Sequence, residues 1–216
     1  MANYFILMGD VVASRRVDAR ELRRHLKSLV ASCNSDLKSL ILSPYTITLG
    51  DEFQGIALSL RAIAESIFYF EETCVKKKYH FKLHYVGHYG EIQTPINREI
   101  AYEMMGPGLT QARALLTDRY RGRPRFVFDL PDRRLSNNLT RLCKVIDSIT
   151  DRWNVEDYPL IADMLMSSSN AEVAVKHDKN RSQIWKRRKH LLITEYKLIK
   201  DVLLELVDAS EGKVRR

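Results

Sequence analysis

Runs of apolar and polar residues predict short strands and amphipathic helices in the N-terminal part of the chain. Residues 4–8 are uniformly apolar and too few for a helix, so they predict a strand that is buried on both faces. Apolar residues at helical spacing follow Asp18, which predicts a helix with this aspartate at its N-terminal cap. Residues 45–58 alternate around Gly50-Asp51, a pattern that predicts a hairpin.

The remaining N-terminal elements complete a mixed order of strands and helices. They are predicted helices over residues 61–75 and 109–117 and predicted strands over residues 81–85 and 126–128. Gly87 and Gly90 are expected to interrupt the strand that begins at residue 81. The order is β-α-β-β-α-β with one extra helix before the last strand. We therefore expect an α+β fold with a ferredoxin-like sheet built on a split βαβ arrangement.

The C-terminal part is predicted to be entirely helical. Its first predicted helices span residues 158–166, 170–177 and 180–190. Val173-Ala174, Asp178 and Ile184 follow the spacing of a helix-turn-helix, with a small residue where the two helices cross. An amphipathic helix is predicted to end at Trp153, and residues 154–157 are the expected joint between the two parts. Two domains are therefore expected, 1–153 and 154–216.

A last helix is predicted to carry one apolar seam. The seam residues lie at steps of four and three, as in an a/d pattern, and are Leu192, Tyr196, Ile199, Leu203 and Leu206. About two heptads are too few for an independent coiled coil, so the seam either packs on its own domain or completes a dimer. We expect a homodimer because helix-turn-helix proteins commonly pair.

Composition and charge agree with a soluble protein that binds an anion. The sequence is 45% hydrophobic and 29% charged, and its net charge is +8. No run approaches the ~20 apolar residues of a membrane span, and the N-terminus lacks a signal-peptide pattern, so we expect a cytoplasmic protein. Cys33, Cys74 and Cys143 are widely spaced, which predicts core thiols and no disulfide framework.

The basic charge is concentrated in the C-terminal part. Residues 170–216 contain 12 Lys/Arg and 7 Asp/Glu, and residues 179–190 contain no acid. Such a helix suits double-stranded DNA, because Lys and Arg neutralise phosphates while side chains near the helix N-terminus reach base edges. A solvated face gives the same charge pattern. The candidate DNA contacts are Arg181, Ser182, Gln183, Lys186 and Arg187.

Two aspartates are candidates for a metal site. Asp10 closes the first predicted strand and Asp51 lies in the hairpin turn, and these strands are neighbours in a split βαβ sheet. Their carboxylates and the carbonyl of Val11 suit Mg²⁺ or Mn²⁺, with water and substrate phosphate as the remaining ligands. The alternative is that Asp51 only favours the turn and Asp10 only caps the strand. The desolvation of an acid at the end of a buried strand favours the metal site.

Phosphate-binding groups are predicted as well. A glycine-rich turn that opens a helix presents N–H groups to an anion, so Gly106 and Gly108 are candidate nucleotide contacts. Arg113 offers a bidentate guanidinium, and Arg15 is positioned to screen a phosphate beside Asp10. Each group has an ordinary alternative, because glycines are common in loops and Arg113 also suits the solvated side of its helix.

These motifs resemble the SatD family of bacterial proteins over nearly the whole chain. The segments that carry the resemblance are residues 9–14, 49–53, 86–91 and 106–113. The last of these segments reads GPGLTQAR and the second reads LGDEF. Residues 1–130 are in turn similar to the catalytic domain of class III nucleotidyl cyclases and, more distantly, to GGDEF diguanylate cyclases.

The cyclase resemblance implies a nucleotide- and metal-binding domain. It implies that Asp10 and Asp51 are the paired metal ligands and that Arg113 is catalytic, because its charge faces the phosphates in the transition state. The base-reading Lys of the cyclases is absent, since Thr46 and Thr48 occupy that stretch. The cyclase Asn one turn before the arginine is also absent. These two departures favour ligand binding over turnover.

Two functions fit these patterns. In the first, a nucleotide- and metal-binding cyclase-like domain controls a DNA-binding helix-turn-helix, so that the chain is a transcription regulator. In the second, the N-terminal domain is an active metal-dependent nucleotidyl cyclase or another nucleoside triphosphate-processing enzyme, and the C-terminal part is a dimerising module. The sequence leaves enzymatic turnover open.

Overall fold

A computed structural model describes residues 2–12, 18–48, 50–118 and 124–214. The strands are β1 (Ala2–Val11), β2 (Ile41–Ile47), β3 (Glu52–Ala57), β4 (Leu83–Ile92) and β5 (Phe126–Asp129). The helices of the sheet region are α1 (Ala19–Asp36), α2 (Leu60–Lys77), α3 (Pro107–Thr117) and α4 (Arg133–Thr150). The C-terminal helices are α5 (Tyr158–Met166), α6 (Asn170–Lys176), α7 (Arg181–His190) and α8 (Ile193–Val214).

The five strands form one sheet in the order β2-β3-β1-β4-β5. β1 lies at the centre and pairs antiparallel with β3 and β4, while β5 pairs parallel with β4. The first four strands have the order of a split βαβ unit, and β5 extends the sheet beyond β4. The expected α+β, ferredoxin-like fold is therefore confirmed.

Helices cover both faces of the sheet. Leu7 of β1 belongs to the larger core, which the sheet shares with α1 and α2, whereas Ile6 and Met8 belong to a smaller core under α3. Successive strand residues point to opposite faces, so both faces of β1 are buried. This explains why residues 4–8 are uniformly apolar.

The prediction that glycines interrupt the fourth strand is wrong. β4 continues through Gly87 and Gly90 to its end at Ile92. Both glycines allow close packing instead. A Cβ at Gly87 would lie 3.1 Å from the Phe128 ring, and one at Gly90 would lie 2.7 Å from the Cα of Gly108. The side chains and helix that require these glycines come from distant parts of the sequence.

A buried charge cluster holds the β4–β5 side of the sheet to α2 and α4. Arg125 is 6% exposed and donates to both carboxylate oxygens of Glu71, at 2.8 and 2.7 Å, and to Asp147 at 2.8 Å. The Tyr85 hydroxyl donates to the same Glu71, and burial raises the pKa of Tyr85 well above its ordinary value. No sequence pattern predicted this cluster.

The C-terminal helices continue the core of the sheet region. Tyr196 and Leu203 of α8 are buried in the larger core. The Tyr196 hydroxyl lies 3.2 Å from Glu72 of α2, and Arg61 at the start of α2 donates to Asp208 of α8 at 2.7 Å. The α8 seam therefore packs within the chain, which is the first of the two alternatives that its length allowed.

The cysteines are free and buried, and burial raises the pKa of Cys33 to about 12, so its thiol stays protonated at neutral pH. This agrees with the expected core thiols. Within the described ranges, no helix is long and apolar enough to cross a membrane.

Candidate functional site

β1 and the β2–β3 hairpin bring the two predicted metal ligands to one end of the sheet. Asp10 is the second-last residue of β1, is 7% exposed and lies opposite Glu52 of β3. The Val11 N–H donates to the carbonyl of Asp51 at 3.2 Å. Gly50 has a φ of 69° in the hairpin turn, a conformation that favours glycine. The backbones that carry Asp10 and Asp51 therefore meet, as the split βαβ sheet order predicts.

Alternation places a row of polar side chains on the face that α3 covers. Asp10 shares this face with Met8, and Glu52 and Gln54 lie on the same face of β3. Arg113 extends from α3 onto this row, with its Nη2 3.7 Å from Glu52 Oε2 and 3.4 Å from Gln54 Oε1. Arg113 and Asp10 thus lie on one face of the sheet.

A cleft of about 560 Å³ opens beside Arg113. The lining residues with polar side chains are Thr48, Gln54, Tyr102, Glu103, Thr110, Arg113 and Thr117. Cavities of this size enclose small organic ligands. The Thr48 Oγ1 is buried and has no hydrogen-bond partner among the described residues. Its burial therefore carries an uncompensated desolvation penalty, which a hydrogen bond to a bound ligand would offset. Asp10 and Asp51 are outside this lining. Met8, two residues before Asp10, lines the cleft, and Glu52, which follows Asp51, contacts the lining residue Arg113.

The loop over residues 93–106 forms one rim of the cleft and is bonded to the hairpin. The Ala101 N–H donates to Thr46 Oγ1 at 3.0 Å, and the Ala101 carbonyl accepts from Gln54 Nε2 at 2.6 Å. Gln54 therefore contacts both the rim and Arg113. Sequence reasoning missed Glu52 and Gln54. Strand alternation places both on the same face of β3 as Ile56, but only the structure shows that α3 covers that face.

The predicted phosphate-binding glycines lie against β4. A Cβ at Gly106 would be 2.5 Å from the Glu91 carbonyl oxygen, and one at Gly108 would be 2.7 Å from the carbonyl carbon of Gly90. Glycine thus lets the start of α3 approach the β4 backbone. Neither glycine lines the cleft, and a phosphate contact through their N–H groups stays a prediction.

The candidate metal ligands are few but of the appropriate type. Among the described residues, no group of three or more His, Cys, Asp and Glu side chains is arranged to hold a metal ion. Mg²⁺ often binds proteins through one or two carboxylates, with water and substrate phosphate as its other ligands. The oxygens of Asp10, Asp51 and the Val11 carbonyl fit that pattern. Arg15, predicted to screen a phosphate here, lies outside the described residues.

The predicted DNA contacts on α7 divide into outward-facing and internally bonded side chains. The outward-facing ones are Arg181, Ser182 and Lys186. Gln183 is exposed but completes a capping box with Asn180. Arg187 is half-buried and forms an ion pair with Asp157. Helical periodicity alone could not show which basic side chains are engaged within the protein.

Comparison with known proteins gives one family match and partial structural similarities. The SatD family model matches residues 4–205. A bacterial light-regulated adenylyl cyclase is similar with a TM-score of 0.44 and 13% identity, over 59% of this chain and 75% of that chain. The catalytic core of a rhodopsin-guanylyl cyclase with converted specificity, in complex with ATPαS, is similar with a TM-score of 0.34 and 11% identity, over 59% and 77%. No curated protein matches the sequence.

Proposed function

The chain belongs to the SatD family, and we propose that it binds a nucleoside triphosphate with a divalent cation and converts it as a nucleotidyl cyclase or a related enzyme. The observation that carries the proposal is the position of Arg113 over the acidic end of β1 and β3, beside a cleft of about 560 Å³. The resemblance of residues 1–130 to the cyclase catalytic domain supports the same chemistry.

The proposed roles follow from where each group lies. Asp10 and Asp51 would hold Mg²⁺ or Mn²⁺, which when bound neutralises phosphate charge and orients the phosphate oxygens. Arg113 donates from its guanidinium to the phosphates in place of Glu52, its present partner at 3.7 Å. In a cyclisation, the ribose 3′ oxygen loses its proton and attacks the α-phosphorus while pyrophosphate leaves.

Neutral groups are proposed to contact the rest of the nucleotide. The unpartnered Thr48 Oγ1 and the amide of Gln54 line the cleft and provide hydrogen bonds without charge. They replace the base-reading Lys that the cyclase resemblance leads one to expect. Gln54 already contacts Arg113 at 3.4 Å, so base and phosphate recognition would be linked through one side chain.

Calorimetry with Mn²⁺ and each nucleoside triphosphate tests the proposal. Asp51→Asn removes one metal-binding charge and is expected to weaken triphosphate binding at least about tenfold, or about 1.4 kcal/mol. The matched control is Asp201→Asn, which neutralises an exposed aspartate of α8. Equal binding by the wild type and Asp51→Asn would refute the metal site.

Chromatography of the reaction mixture separates turnover from binding. A cyclic or dinucleotide product that disappears in Asp10→Ala is expected if the chain is an enzyme. Tight triphosphate binding with no product would refute turnover and leave the cleft as a ligand-binding site.

The second candidate function is a transcription regulator in which the cleft controls DNA binding. The observation that favours it is the direct bonding of the two parts of the chain. Arg61, four residues after the end of β3, donates to Asp208 of α8 at 2.7 Å, and the Arg61 N–H donates to Glu211 at 3.1 Å. A shift of β3 on nucleotide binding would therefore reach α8. The comparisons with known proteins do not support this function.

The predicted homodimer stays a prediction, and a loop with exposed apolar side chains is one candidate for its interface. Ile100, Tyr102 and Met105 are exposed on the loop beside the cleft, Met105 to 67%. Large contiguous apolar patches commonly mark interaction sites, and these three side chains lie on one loop.

A further inference from the structure

α7 has an exposed basic face, and it lies more than sixty residues after the last residue that lines the cleft. We define the α7 face as Arg181, Ser182, Trp185, Lys186 and Lys189, all of which are exposed. We propose that the α7 face binds duplex DNA through its major groove. This inference supplies the DNA-binding half of the second candidate function, and it does not depend on any reaction in the cleft.

Internal contacts fix α7 so that this face points to solvent. Ile184 is fully buried, and Arg188 is only 8% exposed. The Arg188 guanidinium donates to the carbonyls of Met164 and Ser167 at 3.0 and 2.9 Å and to Asn170 Oδ1 at 2.9 Å. One arginine therefore joins α7 to the end of α5 and the start of α6. The cations that remain outside are held at defined positions on a rigid helix.

The connection between α6 and α7 is a short turn with a left-handed residue, as the helix-turn-helix spacing predicts. Asp178 takes a positive φ of 47° in the turn, and the Lys179 N–H donates to the Ala174 carbonyl at 3.0 Å. Asn180 and Gln183 then form a capping box that starts α7. The turn leaves the first residues of α7 at the protein surface, where recognition helices present side chains to base edges.

Charge complementarity favours a polyanion on the α7 face. Residues 179–190 contain no acid, while Arg181, Lys186 and Lys189 are exposed cations. Cations on DNA-binding surfaces neutralise phosphates and release counterions, which makes binding salt-dependent. A merely solvated face requires no aromatic side chain, yet Trp185 is 52% exposed at the centre of this one. The Lys189 ammonium lies 5.8 Å from the centre of its ring.

The dimensions of α7 favour duplex DNA over a single strand. The ten residues of α7 give a helix about 15 Å long, and a helix about 10–12 Å wide fits the major groove of about 12 Å. Single-strand sites instead use grooves with several stacked aromatic rings, whereas Trp185 is the one aromatic residue in α7.

Fluorescence anisotropy with a labelled 30-base-pair duplex tests the proposal on the full chain without nucleotide. We expect a micromolar or tighter dissociation constant at low salt. Lys186→Ala/Lys189→Ala is expected to reduce the salt-dependence slope by about 1.8, since each phosphate contact contributes about 0.9. Lys144→Ala removes an exposed lysine of α4 and is expected to leave the slope unchanged. Asp51→Asn is expected to bind DNA as the wild type does.

Tryptophan emission gives a second readout that locates the DNA. Trp153 is 7% exposed and donates to the Leu191 carbonyl at 2.8 Å, so DNA is expected to change the emission of Trp185 alone. Trp185→Phe should abolish that change. The proposal is overturned if the wild type fails to bind the duplex at 50 mM salt, if Lys144→Ala weakens binding as much as the double variant, or if single strands bind more tightly than the duplex.

Asp51→Asn is measured both in the calorimetry and in the DNA assay. The proposal for the cleft and the proposal for the α7 face can therefore be refuted independently. A variant that loses triphosphate binding but keeps DNA binding supports both. Loss of DNA binding in Lys186→Ala/Lys189→Ala with unchanged triphosphate binding assigns DNA binding to the α7 face alone.

Discussion

Replacing Gly108 by alanine tests how closely α3 must approach β4 for the site to keep its shape. The added Cβ would lie 2.7 Å from the carbonyl carbon of Gly90 and 2.9 Å from the Glu91 nitrogen and oxygen. All three atoms belong to the backbone, so no side chain can rotate away. Ordinary contact begins near 3.4 Å, which requires α3 and β4 to separate by about 0.7 Å.

The expected free-energy change combines two opposing effects. Overpacking of this kind costs about 1–3 kcal/mol. Alanine is also a better helix former than glycine, which offsets up to about 1 kcal/mol. With the full offset, Gly108→Ala should therefore lower the free energy of unfolding by up to about 2 kcal/mol. Gly212→Ala is the matched control in α8, because its Cβ would meet nothing within 4 Å and only the favourable effect should remain.

Urea unfolding followed by circular dichroism measures both variants. The same shift should move Arg113, five residues further along α3, away from Glu52 and Gln54, so triphosphate binding should weaken in Gly108→Ala and not in Gly212→Ala. If Gly108→Ala is as stable as Gly212→Ala, the close approach of α3 to β4 does not constrain the fold. The stability result holds whether or not the cleft binds a nucleotide.

Two further predictions concern charge. Glu71→Gln leaves Arg125 buried without its full set of partners and should lower the free energy of unfolding in urea by about 3–5 kcal/mol. Glu65→Gln breaks the half-exposed ion pair with Arg61, at 2.6 Å, and should cost at most about 1 kcal/mol. Equal costs would contradict the argument that burial strengthens the Arg125 ion pair. A hydrogen bond from Lys176 lowers the pKa of Asp163, so its stabilisation is present above the unfolded pKa and is lost as pH falls through the lower folded value. The stability advantage of the wild type over Asp163→Asn should therefore shrink as the pH falls below about 5. A difference that stays constant as the pH falls would refute this.

The fold was predictable where local pattern and tertiary packing agree. The apolar residues 4–8 indicated a central strand because both of their faces are covered, and Asp18 caps α1 through the N–H groups of Arg20 and Glu21. Gly87 was misinterpreted because a glycine within a strand also marks the approach of another element. That element arrives from β5, and a single sequence carries no sign of it.

The candidate site was predictable only in part, for a related reason. Turn chemistry around Gly50 identified Asp51, but Glu52 and Gln54 required knowing which face of β3 receives α3. The basic residues of α7 were visible as a group. Arg188 is buried because it donates to backbone carbonyls at the end of α5, and no local sequence pattern shows that these partners are there.

The packing of α8 on α2 restricts how the two parts of this chain can be separated or can communicate. Phe68 of α2 is buried beside Tyr196, with ring centres 6.5 Å apart, and Lys200 lies 5.0 Å from the Phe68 ring. A chain that ends at residue 153 would expose the Phe68 ring to water, and exposed apolar surface of this kind favours aggregation. The core between the cleft and α8 is closely packed. A conformational change in the cleft can therefore reach α8 as a small displacement of packed side chains, but large independent motions of the two parts are excluded.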